Sequence, residues 1–120
     1  MKQLVITLLF PLLLASCGHG KSNTVTPSRL LSEQEMVSLL TDMQIIEADL
    51  SFRKTNQEDL TGLPQRYYGQ LYEHYGITDS IFAENLRFYT EQPAVAERIM
   101  DSVSQRLTKV QSESRRDDSQ

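Results

Sequence analysis

Of 120 residues only one is cysteine, so no intramolecular disulfide can form, and 16 Asp and Glu against 12 Lys and Arg leave a formal charge of −4. No stretch concentrates the basic residues, which excludes nucleic acid and anionic lipid headgroups as electrostatic partners. The chain opens with a positive stretch, Met1-Lys2-Gln3, and an apolar run from Leu4 to Leu14, the layout of a secretory signal. That run is too short to span a membrane, which takes about 20 apolar residues. It also holds Pro11 and stops at Ala15-Ser16-Cys17.

Leu14-Ala15-Ser16-Cys17 resembles the end of a bacterial lipoprotein signal, which reads Leu, two small residues, then Cys. The resemblance implies a diacylglyceryl thioether on the Cys17 sulfur, cleavage after Ser16, and a further acyl chain such as palmitate on the new amino group. Lipidation also accounts for a lone cysteine in an exported chain. Residues 1–16 are then a signal peptide, and the 104 that remain carry a formal charge of −5. Attachment to the membrane falls to the acyl chains, two or more of which hold stably at about 0.8 kcal/mol per buried methylene.

Residues 17–29 are rich in Gly and small polar residues without an apolar period, which predicts a flexible lipidated tether. His19 lies here and the only other histidine is His74, in a distant helix, so no metal site is expected. Surface-displayed lipoproteins of Bacteroidota often carry acidic residues directly after the cysteine. None occurs before Glu33, and by that resemblance the domain faces the periplasm from the outer membrane.

An all-α domain is predicted over residues 30–111. Ser32 and Glu35 have capping-box spacing, and Leu31 and Met36 the spacing of a hydrophobic staple, which starts a first helix over about 32–54. Met36, Leu39, Leu40, Met43, Ile46 and Leu50 form its core face. A second stripe, Val37, Thr41, Ile45, Ala48 and Phe52, lies nearly opposite. Two readings fit: a central helix packed between others, or a partner docking on Ile45 and Phe52. Glu47 falls among the core positions, where a carboxylate is either satisfied or peripheral.

After a polar loop, Pro64 opens a second helix over about 64–75 that carries Tyr68, Leu71, Tyr72 and Tyr75. Gly76 is the expected left-handed cap. Thr78 caps a third helix over about 79–91, with Ile77 and Phe82 as its staple. The third helix has a broad apolar face of Ile81, Phe82, Leu86, Phe88 and Tyr89, and is expected to lie between the second and fourth. Pro93 starts the fourth helix, over 93–111, with a narrow stripe of Ala96, Ile99, Met100, Val103, Leu107 and Val110. Residues 112–120 have nothing to bury and are predicted to be a disordered tail.

From Leu30 to Leu107 the order of pieces resembles a family of small helical lipoproteins of Bacteroidota carrying a domain of unknown function. The shared residues are Met36-Val37, Asp42 and Glu47-Ala48 in the first helix, then Tyr75-Gly76-Ile77-Thr78, then Phe88-Tyr89-Thr90 with Pro93. Gln92 stands where the resemblance leads one to expect Asn. The family implies a compartment and a fold, and no reaction.

No Gly-rich phosphate loop, no Cys/His ligand spacing and no activated serine signature occurs, so neither a cofactor nor catalysis is expected. Asp42 and Asp49 lie a heptad apart on a polar flank, with Asp49 placed to pair with Arg53, as on a solvated helix face. Three functions remain in order. The first is a non-enzymatic interaction subunit of an envelope assembly, docking through Ile45 and Phe52. The second is a peptide or small-ligand binder using Tyr68, Tyr72 and Tyr89, although aromatic residues at helical spacing are more often core. The third is an unrecognised hydrolase.

Overall fold

The computed structural model describes residues 24–118, in which four α-helices and no strand occur. They are α1 (Glu33–Thr55), α2 (Leu63–Tyr75), α3 (Asp79–Thr90) and α4 (Pro93–Asp117), the small all-α bundle that the apolar periodicity predicts.

The helix ends follow from local chemistry. At α1, Ser32 Oγ accepts from the Glu35 N–H at 3.1 Å while Glu35 Oε2 accepts from the Ser32 N–H at 2.7 Å, so two orphan backbone donors are satisfied reciprocally. The Ser32 backbone N–H foremost, and its hydroxyl next, lower the pKa of the Glu35 carboxyl. Leu31 and Met36 close the staple beside it, both buried. Between α2 and α3 the chain turns at Gly76, whose φ of 60° lies in the left-handed region that favours glycine. The Ile77 N–H then donates to the Tyr72 carbonyl at 3.0 Å, and Thr78 Oγ1 accepts from the Ile81 N–H at 3.3 Å. Buried Ile77 therefore ties two helix ends into one corner.

The central helix is α1. It packs against α2 and α4, while α3 packs on α4. Arg98 pairs with Glu33 and Arg106 with Ser38, so α4 runs parallel to α1. Tyr67 pairs with Asp49 and Tyr75 with Asp42, so α2 runs antiparallel. Leu31, Met36, Leu39, Leu71, Tyr89, Ile99 and Val103 form the shared core.

Three expectations are corrected. α3 is not sandwiched between α2 and α4; its link to α2 is a ring contact of Phe82 with Tyr72 at 6.0 Å, and Leu86 stays exposed. What covers α3 instead is the end of the supposed tether. Pro27 is buried, and Ser28 donates its N–H and its hydroxyl to Glu84 Oε2, each at 2.8 Å. The fully buried Asn85 accepts from the Leu31 N–H at 2.8 Å and donates to the Arg29 carbonyl at 2.7 Å and the Ile81 carbonyl at 2.8 Å. Tyr89 adds a hydroxyl bond to the Leu31 carbonyl at 2.5 Å. The folded unit thus begins near Pro27. Finally, α4 continues past Gln111 to Asp117. Extending a formed helix costs little once its nucleus is in place, and the Lys109–Glu113 pair one turn apart supports the extension.

Candidate functional site

Because α1 and α2 are antiparallel, three tyrosines of α2 meet three carboxylates of α1. Tyr67 donates to Asp49 Oδ2 at 3.0 Å, Tyr75 to Asp42 Oδ2 at 2.6 Å, and Tyr68 to Glu47 Oε1. Burial, and next Glu47, pushes the Tyr68 phenol up to about 12; burial and Asp42 push Tyr75 in the same direction. Arg53 lies 2.8 Å from Asp49 and 2.9 Å from Glu58, and its hydrogen bond is the foremost reason the Asp49 pKa is lowered. Asp49 is thereby favoured in its charged form, and all three carboxylates are fixed in orientation by their tyrosines.

The second stripe of α1 divides along its length. Val37 and Thr41 are buried, whereas Ile45 and Phe52 are 42% and 66% exposed. Ile45 stands on a ridge between two grooves. One, of about 600 Å³ between α1 and α2, is lined by Ile46 and buried Leu71 beneath the Ile45 ridge, with Asp42, Asp49 and Tyr67 around them. The other, of about 570 Å³ between α1 and α4, is lined by Ile45, Ala48, Leu107 and Val110, with Arg115 at its edge. Val110 is 43% exposed, so apolar surface continues from α1 onto α4. Towards the start of α1 the face is bridged: Arg106 donates to Ser38 Oγ at 2.6 Å, and Ser38 lies within hydrogen-bonding reach of Tyr75. This open face can hold an apolar side chain beside a cation. No group of three or more metal-ligating side chains is assembled among the described residues.

The sequence model of the family described as "Domain of unknown function (DUF4296)" matches residues 27–113. The chain belongs to this family. Neither the curated proteins nor the solved structures give a match. The start of the DUF4296 match coincides with buried Pro27.

Within the DUF4296 domain the residues singled out by sequence are distributed unevenly. Ile45 and Phe52 share the open face. Tyr68, Tyr72 and Tyr89 do not converge. The rings of Tyr68 and Tyr72 are 6.3 Å apart, but Tyr89 is core, holding Leu31. Glu47 is peripheral and satisfied by Tyr68. His74 is exposed, its ring edge-on to Tyr75 at 5.1 Å. Cys17 and His19 lie outside the described residues. Asp42 and Asp49, read as a solvated flank with Asp49 paired to Arg53, keep that pair and in addition line the groove, each held by a tyrosine. No local signal pairs Asp42 with Tyr75, because the partner arrives from another helix 33 positions on.

Proposed function

We propose that this DUF4296 protein is a lipoprotein of the cell envelope, anchored through Cys17 in the outer membrane and facing the periplasm, that serves as a non-enzymatic interaction subunit of an envelope assembly. The observation that carries the docking part is the open face of α1. A domain of this size has few large apolar residues to spare for solvent, yet Ile45 and Val110 are exposed about one groove, and Phe52 is exposed two turns further along α1. The anchoring part rests on Leu14-Ala15-Ser16-Cys17 and the apolar run before it. Among the described residues no helix is long and apolar enough to cross a membrane, which leaves acylation as the attachment this reading requires.

Two experiments test the parts separately. Cys17→Ala leaves a product that is uncleaved or released from membranes; a processed Cys17→Ala chain that pellets with membranes and resists high salt contradicts the anchor. A photo-crosslinking side chain placed at Ile45 or Phe52 in cells captures an envelope protein, identified by mass spectrometry, that the same side chain at exposed Met100 does not. Equal capture from all three positions, or none from Ile45 and Phe52, contradicts the docking face.

A further inference from the structure

We propose that the groove between α1 and α2 receives a basic amphipathic helix of the partner protein, with Asp42 and Asp49 meeting two of its lysine or arginine side chains. The inference rests on the docking reading above and specifies the chemistry of what docks. Asp42 and Asp49 are one heptad apart on α1, about 10.5 Å along the helix axis, and Ile45 stands between them along the helix, on the ridge that walls the groove. A helix laid along α1 presents side chains at i and i+7 on one face at the same separation, and one at i+3 or i+4 between them. Two basic residues flanking an apolar one would thus meet Asp42, Ile45 and Asp49 together. An extended strand covers that distance in about three residues, which places the two charges on opposite faces.

The rim is built to hold charge. Each carboxylate is fixed through its Oδ2, Asp42 by Tyr75 and Asp49 by Tyr67 and Arg53, while among the described residues no hydrogen bond reaches either Oδ1. Arg53 is already shared between Asp49 and Glu58, and Arg106, whose charge reaches Tyr75, donates to Ser38 and not to Asp42, so the two carboxylates outnumber the cation bonded to them. Charge-assisted bonds to carboxylates held over an apolar floor give both register and orientation.

The test uses the purified full chain and fluorescein-labelled helical peptides with leucines flanked by lysines at heptad spacing, read by fluorescence anisotropy. The lysine peptide binds the wild-type chain, and binding weakens at least tenfold in Asp42→Asn/Asp49→Asn, whose amides still accept the tyrosine bonds. It is retained in Glu97→Gln/Asp101→Asn, which removes the same charge from α4 outside the groove. Two peptides probe the unmodified protein, so the test survives a variant that folds poorly: glutamates in place of lysines, or lysines shifted to an i, i+5 spacing, abolish binding. Equal weakening by both variant pairs, equal binding of the shifted peptide, or a dimer of the chain that dissociates in Asp42→Asn/Asp49→Asn overturns the inference. An Ile45 crosslink to an envelope protein that persists unchanged in Asp42→Asn/Asp49→Asn overturns it too, while leaving the docking reading standing; loss of that crosslink in the wild type sinks the docking reading itself.

Discussion

Asn85 is the polar residue on which the N-terminal segment depends. Its amide satisfies the Leu31 N–H and the Arg29 carbonyl at zero exposure, so Asn85→Ala leaves both without a partner beside a core staple. A buried donor or acceptor left unpaired costs about 1–3 kcal/mol. Chemical denaturation of Asn85→Ala is therefore expected to show a loss of about 2–3 kcal/mol, and a loss within error of zero contradicts the assignment. The tyrosines supply a second residue-scale prediction. Tyr68, Tyr72, Tyr75 and Tyr89 are all raised, by burial first, so the unfolded chain gives up these protons before the folded one does. The stability they contribute is whole below about pH 10 and drains as pH rises towards the folded-state values. In a joint titration, most tyrosinate absorbance should appear above pH 10 together with loss of helical circular dichroism. Most of the tyrosinate absorbance forming near pH 10 in an intact helical domain contradicts the burial. Asn85 was invisible in the sequence for a physical reason: an Asn inside a helix reads as surface, and two of its three partners stand 54 and 56 positions away.

Whole elements were far more legible, because helix ends are set by near neighbours. Ser32 with Glu35, Gly76, Thr78 and Pro93 placed the helix boundaries within a residue or two, and each acts through backbone groups no more than four positions away. Gly76 gives the element-scale prediction. A Cβ there meets only the Arg29 guanidinium at 3.5 Å, an ordinary contact, so the penalty is conformational and not steric. Gly76→Ala is expected to cost about 1 kcal/mol and to lower the melting temperature by several degrees. An unchanged melting temperature contradicts the structural role. The end of α4 escaped the sequence because composition reports what a segment can bury, whereas residues 112–117 remain helical by continuing a ladder already formed. The segment after Pro27 escaped for the converse reason: its small polar residues look like linker, and only α3 shows that their backbone is bound.

At the scale of the molecule, α1 reconciles two readings that the sequence left open. It is a central helix, with α2 on one side and α4 on the other, and it still leaves part of its second stripe in solvent. The covering is uneven along it: Val37 and Thr41 are buried, while Ile45 lies where the grooves open and Phe52 is exposed beyond them. A pattern of apolar residues along one helix records how wide its apolar surface is, and not which neighbour stops short of covering it. The candidate face was thus legible as two residues, Ile45 and Phe52, whereas its acidic rim came only with the fold. The central claim is that this face is spare to the fold and needed by a partner. The most direct measurement pairs circular-dichroism melting with co-purification for Ile45→Glu and Phe52→Glu. Both variants are expected to keep wild-type helicity and to melt within a few degrees of the wild type, since their side chains are exposed, yet to lose the envelope protein that wild type retains. Unfolding of either variant, or retention of that protein by both, would contradict the account.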